Sequence, residues 1–227
     1  MPKLWNDENE MLALARAELY TAVVGDIMDT LGVRDQFLPP QVQPLAPEMQ
    51  LVGRAMTVLE KDTEADTPAT DPEKPFGVML EALDDLRADE VYLCSGASPT
   101  YALWGELMSA RAAACGAVGA VVNGYSRDTV GIIDLGFPTF SYGSYAQDQA
   151  PRGTVVDFRV PLQIGAVKIE TGDLVFADRD GVCVVPRAME TDVVAKAIEK
   201  ARGEKTVMKA IQSGMSARDA FAKYHIM

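Results

Sequence analysis

Histidine is almost missing from this chain: among 227 residues the only one is His225, two places from the end. Catalytic zinc sites recruit imidazole ligands, and Ser-His or Cys-His nucleophilic sites need an oriented, buried one. A solvated residue in a tail supplies neither. Basic side chains are also short, with 21 Lys and Arg against 33 Asp and Glu and a formal net charge of −12. A nucleic-acid-binding protein needs a basic face, so RNA and DNA are set aside as direct partners. The three cysteines, Cys94, Cys115 and Cys183, lie far apart in apolar contexts and read as buried free thiols. That suits a reducing compartment. No apolar run approaches the roughly 20 residues that span a bilayer. The first residues show no basic-then-apolar signal either, so the expectation is a cytoplasmic protein with no membrane partner. Gly116, Gly119 and Gly124 do not form a dinucleotide fingerprint, and no phosphate-binding loop is present.

What the chain does have is apolar material, 48% of its residues, enough for one substantial core. Residues 7–31 read as two helices, the first capped by Asn6 or Asp7 and the second by Thr21, ending near Leu31-Gly32. Pro39, Pro40 and Pro44 mark an irregular crossing, and Leu51–Leu59 alternates like a strand. Residues 61–75 carry Pro68, Pro72 and Pro75 and the acids Asp62, Glu64, Asp66 and Asp71; they read as a solvated surface loop. From Phe76 the pattern is helix 76–86, strand 90–94, helix 105–115, strand 117–122, helix 127–135 and strand 138–142. Such alternation predicts parallel strands with helical crossovers. Beyond Pro151, β-type runs at Thr154–Phe158, Leu162–Ile169, Asp173–Ala177 and Val182–Val185 predict antiparallel hairpins. Helices follow from Pro186 to about Ile211 and after Ser216. The whole, residues 1–227, is read as one mixed α/β domain. Its N-terminal helices and crossing occupy residues 1–50, its α/β core 51–185 and its C-terminal helical cap 186–227.

The segment that carries chemistry is Gly119-Ala-Val-Val-Asn-Gly-Tyr-Ser-Arg-Asp-Thr129. A short apolar run ends in an Asn-Gly turn and delivers Arg127 and Asp128 to a helix start. Ligands of open α/β sheets gather at such carboxyl ends of strands. A carboxylate in a first helical turn can also serve the macrodipole alone. A second feature favours a site: Tyr101-Ala-Leu-Trp-Gly-Glu-Leu-Met108 puts a glycine at the opening of the preceding helix, where free N–H groups suit a carboxylate or phosphate. Without histidine ligands, any metal would be a hard one held by oxygen, Mg²⁺ or Mn²⁺. Glu106 also reads as an ordinary helix N-terminal acid, and Lys168, a Schiff-base residue in principle, has nothing nearby to activate it.

These segments resemble the family that joins the regulator of ribonuclease activity A to the divalent-metal pyruvate aldolases. The likeness runs from about Leu19 to Tyr224. It is carried by Gly25-Asp-Ile-Met-Asp-Thr-Leu-Gly32, Leu51-Val-Gly-Arg-Ala-Met-Thr57, Trp104-Gly-Glu-Leu107, Val121-Val-Asn-Gly-Tyr-Ser-Arg-Asp-Thr129 and Leu135-Gly-Phe-Pro138. Thr171-Gly-Asp-Leu-Val175, Ala177-Asp-Arg-Asp-Gly-Val182 and Val185-Pro186 continue it. The resemblance implies a swivelling β/β/α domain with a mixed sheet, assembled as a homotrimer or a dimer of trimers, with the active site between subunits. It implies Asp128 as the direct metal ligand, Arg127 at the substrate's keto oxygen, and amides of Gly105, Glu106, Leu107 and Met108 at its carboxylate. Glu204 is the match for an acid that holds metal waters from a neighbouring subunit. The implied activity is Mg²⁺- or Mn²⁺-dependent cleavage of a 4-hydroxy-2-oxo acid, such as 4-hydroxy-4-methyl-2-oxoglutarate, or decarboxylation of oxaloacetate, through a pyruvate enolate. The alternative the family offers is a non-catalytic protein that binds and regulates a ribonuclease. Two positions depart from the family pattern: Gly131 stands where an acid is common, and Gly96-Ala97 where Gly-Asp is.

Overall fold

A 12-residue strand, β2 (Leu51–Asp62), is the axis of the computed structural model, which describes residues 4–63 and 74–226. On one side β2 pairs in parallel with β3 (Glu90–Ser95), then come β5 (Gly119–Val122) and β7 (Thr139–Ser141), also parallel. The short β1 (Gln43–Pro44) closes that edge in antiparallel fashion. On its other side the first half of β2 pairs with β11 (Leu174–Asp178) and the second half with β8 (Gly153–Phe158). Strand β12 (Gly181–Val185) completes a hairpin with β11. The sheet is therefore mixed, as expected, and β2 runs on to Asp62, past the expected end at Leu59. Asp62 thus belongs to a strand and not to a loop; Glu64, Asp66 and Asp71 lie outside the described residues.

Period-two geometry sorts the sheet's side chains into two layers. Tyr92 and Cys94 of β3 face a helical layer, with Leu174 and Phe176 of β11 doing the same. Val91 and Leu93, with Val175 and Ala177, face the opposite side, where Leu38, Val42 and the hairpin of β9 (Leu162–Ile164) and β10 (Val167–Ile169) cover them. Hairpin, sheet and helices make the three layers of a β/β/α arrangement. The helical layer has two parts. Helices α1 (Glu8–Glu18), α2 (Thr21–Thr30) and α6 (Glu190–Gln212) pack over β11 and β12. Helices α3 (Met79–Asp84), α4 (Glu106–Ala114) and α5 (Thr129–Asp134) pack over β3 and β5. The C-terminal α7 (Ala217–Tyr224) is capped by Ser216, whose Oγ accepts from the Asp219 amide at 3.1 Å. Among the described residues no helix is long and apolar enough to cross a membrane. Cys94 and Cys183 are buried free thiols as expected, whereas Cys115 is only partly buried.

One local expectation fails instructively. Asp7 does cap α1, accepting from the Glu10 amide at 2.9 Å, but Thr21 does not cap α2. The Thr21 Oγ1 is buried without a partner among the described residues, and the Thr21 amide donates instead to Asp178 Oδ2 at 2.8 Å. The cap comes from a residue 157 positions away, at the β11–β12 turn. Asp178→Ala should therefore cost about 1 kcal/mol in urea denaturation, the usual loss for a helix cap. Thr21→Val should be neutral or stabilising, because it removes an orphan buried hydroxyl. A Thr21→Val loss as large as that of Asp178→Ala would contradict this assignment.

Candidate functional site

The two sequence features meet through a small second sheet. Strand β4 (Ala102–Trp104) pairs in parallel with β6 (Tyr125–Ser126), Trp104 opposite Ser126, and the Arg127 amide donates to the Trp104 carbonyl at 2.9 Å. This pairing puts the start of α4 against the start of α5. A Cβ built on Gly105 would lie 3.2 Å from Asp128 Oδ2 and 3.5 Å from Arg127 Cγ, so the glycine backbone and the Arg-Asp pair touch. Gly105 is the N-cap of α4 and offers no side-chain cap, which leaves the Glu106, Leu107 and Met108 amides of the first turn without intrahelical acceptors.

Asp128 is not in the first helical turn, as expected from sequence, but precedes it. Its backbone is left-handed, φ 55 and ψ 34, a conformation that Asp tolerates better than most residues. As N-cap of α5 it makes no side-chain capping bond, so its carboxylate is not spent on the helix. That carboxylate is half-exposed and lies 3.6 Å from Arg127 Nε, while Arg127 Nη1 lies 3.4 Å from Asp148 Oδ1. Both separations exceed a good N–H···O bond, so the guanidinium sits between two carboxylates without being locked to either. A cavity of about 460 Å³ opens beside this group, with Gly105, Leu107, Met108, Arg127, Asp128 and Asp148 in its lining.

Other expected residues are placed differently. The Glu106 side chain is not in the cavity lining; a Cβ at position 131 would overlap its carboxylate, so Glu106 lies over Gly131 on α5. An acid thus lies over position 131, supplied from α4 instead of α5. Glu204 is on α6, where the Tyr20 hydroxyl donates to it and Lys200 Nζ lies 3.7 Å away. No α6 residue lines the cavity, so Glu204 and Asp128 are not brought together within one chain. Lys168 is exposed on β10, and His225 is the exposed C-cap of α7. Asp148 and Gln149 were not anticipated. They come from an irregular stretch about 20 residues downstream, where no periodicity or motif signals them.

Strand β2 also carries a buried acid. Glu60 is 2% exposed, and its Oε1 has no partner among the described residues. Burial first, and then the negative charge of Asp62, push its carboxyl up to about 8. Although burial raises Asp62 too, hydrogen bonds from the Ser98 amide at 3.0 Å and the Tyr101 hydroxyl at 2.8 Å hold it below its usual value. Tyr101 leads directly into Ala102 and Leu103 of the cavity wall.

The family model described as Aldolase/RraA, for RraA-like proteins, matches residues 21–184, well over half of the chain. The chain belongs to the RraA-like family. It is 28% identical over 205 residues to protein DlpA of Legionella pneumophila, covering 90% of this chain but 32% of DlpA, so it spans about a third of that relative. It is 29% identical to a Halalkalibacterium halodurans protein named "Putative 4-hydroxy-4-methyl-2-oxoglutarate aldolase", over 88% of this chain and 89% of that one. The crystal structure of an uncharacterized protein from Pseudomonas syringae pv. tomato superposes with a TM-score of 0.85 at 28% identity, covering 98% of this chain and 97% of the other. The RraA-like fold and the three-layer arrangement derived above agree.

The raised Glu60 carboxyl has a consequence for stability. Its folded value lies above the ordinary 4.5, so the native state keeps a proton that the unfolded chain releases. This contribution is fully present below about 4.5 and is lost as pH rises to about 8. Unfolding free energy measured in urea should therefore fall less between about pH 5 and about pH 9 for Glu60→Gln than for the wild type. Identical pH dependence in the two proteins would show that Glu60 is ionised in the folded state.

Proposed function

We propose that this RraA-like protein is a divalent-metal-dependent lyase acting on small 2-oxo acids and releasing pyruvate. The observation that carries the reading is the Asp128 carboxylate, uncommitted to capping and set beside both Arg127 and the open first turn of α4. The donor set fits a hard cation. A half-exposed carboxylate is an oxygen ligand of the kind Mg²⁺ and Mn²⁺ accept while keeping several waters, and no larger His, Cys, Asp and Glu cluster occurs among the described residues. When bound there, the ion would supply Lewis acidity to the substrate's keto oxygen.

The chain's own residues do the rest. The α4 amides of Gly105–Met108 bind the C1 carboxylate, with the helix N-terminus contributing favourable charge. Arg127 directs a fixed positive charge at the keto oxygen, where negative charge grows as the C3–C4 bond breaks and the electron pair spreads into an enolate. Asp148 and Asp128 flank the guanidinium without close bonds, so it can turn to a ligand oxygen. Decarboxylation of oxaloacetate develops charge at the same oxygen, so one site suits both reactions. A homo-oligomer, trimer or dimer of trimers, belongs to this reading. Leu107 of α4 is 85% exposed and Val130 of α5 72% exposed, and these neighbouring helices leave apolar surface for a second copy next to the cavity.

Pyruvate release from oxaloacetate and from 4-hydroxy-2-oxo acids should require Mg²⁺ or Mn²⁺ and stop in EDTA. Asp128→Ala should abolish it. Arg127→Ala should lower kcat on the order of a hundredfold or more, the loss of about 3–4 kcal/mol of charge stabilisation. Metal-independent turnover, or full activity in Asp128→Ala, would overturn the reading. Capture of a ribonuclease without metal or turnover would favour the regulatory role instead.

A further inference from the structure

Cleaving a 4-hydroxy-2-oxo acid takes a proton from the C4 hydroxyl, and the groups described so far give that proton no destination. The chain's only histidine is the exposed His225 at the end of α7, which is not in the cavity lining. Glu106 lies over Gly131, also outside the lining, and Glu60 is buried on β2. Among the described residues three acids line the cavity: Asp84, Asp128 and Asp148. Asp84 accepts from Arg111 Nε at 2.7 Å and is committed to tying α3 to α4. Asp128 is the metal carboxylate of the lyase reading. Asp148 remains.

Asp148 has the access and the fixed position that a proton acceptor needs. Its side chain is 43% exposed, and its Oδ1 lies 3.4 Å from Arg127 Nη1, too far for a good hydrogen bond. The backbone on either side is pinned. The Ala102 amide at the start of β4 donates to the Gln147 carbonyl at 2.8 Å, and Gln147 Nε2 donates to the Thr100 carbonyl at 2.8 Å. The Gly153 amide at the start of β8 donates to the Gln149 carbonyl at 2.9 Å. Asp148 is thus fixed against β4, the strand that leads into the glycine opening of α4. The substrate supplies the rest of the geometry. Its keto oxygen and C4 hydroxyl sit on carbons separated by one methylene, so a folded conformer turns both oxygens to one side. With the keto oxygen on Arg127, a carboxylate flanking that guanidinium stands at the C4 hydroxyl.

We propose that Asp148 is the general base of the cleavage, accepting the proton of the C4 hydroxyl. The inference rests on the lyase reading above and adds a catalytic residue to it. As the proton passes to Asp148, the O–H electron pair closes the C4 carbonyl, the C3–C4 bond breaks and its pair goes to C3. Asp148 then gives its proton to water, and C3 takes one from water to complete pyruvate beside an aldehyde or ketone. Atoms and charge balance, and no oxidant or reductant is needed. Oxaloacetate makes no such demand, because its C4 carboxylate leaves as CO₂ with no hydroxyl proton to remove.

The test compares the wild type with Asp148→Asn, which keeps the shape and loses the charge, on two reactions under Mg²⁺. These are cleavage of 4-hydroxy-4-methyl-2-oxoglutarate or 4-hydroxy-2-oxopentanoate, and decarboxylation of oxaloacetate. The ratio of cleavage to decarboxylation in kcat should fall about a hundredfold or more in Asp148→Asn, the usual worth of a positioned base. Oxalate has no C4 group, so its Mn²⁺-dependent binding, followed by calorimetry, should persist in the variant. An unchanged ratio, whether both rates fall together or neither falls, would overturn the assignment and leave the lyase reading standing. Loss of oxalate binding would reduce Asp148 to a partner of Arg127 and overturn it as well. So would a wild type that decarboxylates oxaloacetate and cleaves neither hydroxy acid. A folded, metal-loaded wild type with neither activity would overturn the lyase reading and this inference with it.

Discussion

The site depends on one short piece of backbone pairing, β4 against β6, closed by the hydrogen bond from the Arg127 amide to the Trp104 carbonyl. Without it, the glycine opening of α4 and the Arg-Asp pair would be two unrelated loop features. Trp104 makes the pairing rigid. Its Nε1 donates to Ser109 Oγ at 2.7 Å, the Ser109 hydroxyl donates to the Gly105 carbonyl at 3.0 Å, and the indole packs between Tyr92 and Phe137. The same aromatic cluster belongs to the core under α3, α4 and α5. The position of the first turn of α4 is thus set by the hydrophobic core, and the Asp128 carboxylate is set by the position of that turn.

Two arginines that join helices to the sheet contrast with Arg127. Arg54, buried in β2, donates to Glu8 of α1, Glu190 of α6 and the Gly172 carbonyl, binding helices to sheet. Arg159 does the same with Asp85 and Glu90. Each of these guanidiniums is closely bonded to its acids, Arg54 buried and Arg159 partly so. Arg127 is the contrast: more exposed, and separated by 3.4 and 3.6 Å from carboxylates that it faces without close bonds. A cation held this way can exchange a protein partner for a ligand oxygen at little cost, which is what a substrate-binding arginine requires.

Much of this was legible from sequence because it follows from periodicity. The alternation of apolar runs gave parallel strands at β3, β5 and β7, and the Asp178–Gly181 turn gave the β11–β12 hairpin. Leu162–Ile169, read as one run, instead folds on itself as the β9–β10 hairpin, and β8 pairs with β2. The meeting of Arg127 and Asp128 with a helix start was legible too, since an apolar strand ending in Asn-Gly delivers the next residues to a sheet edge. What escaped were features made by distant partners. Strands of two and three residues such as β6 and β4 have no period to detect. The cap of α2 comes from Asp178, and the acid over Gly131 comes from Glu106, so in both places the local residue type misled. Asp148 and Gln149 sit in irregular chain, where position is decided by tertiary packing alone.

The central claim is that Asp128 and its neighbours form one joint site for a divalent ion and a 2-oxo acid. Oxalate, a planar mimic of the pyruvate enolate, tests it directly in a calorimetric titration with and without Mn²⁺. The account predicts that oxalate binds the wild type only when Mn²⁺ is present, that Mn²⁺ binding tightens reciprocally, and that Asp128→Asn loses both effects. Oxalate binding that ignores Mn²⁺, or that survives unchanged in Asp128→Asn, would contradict it.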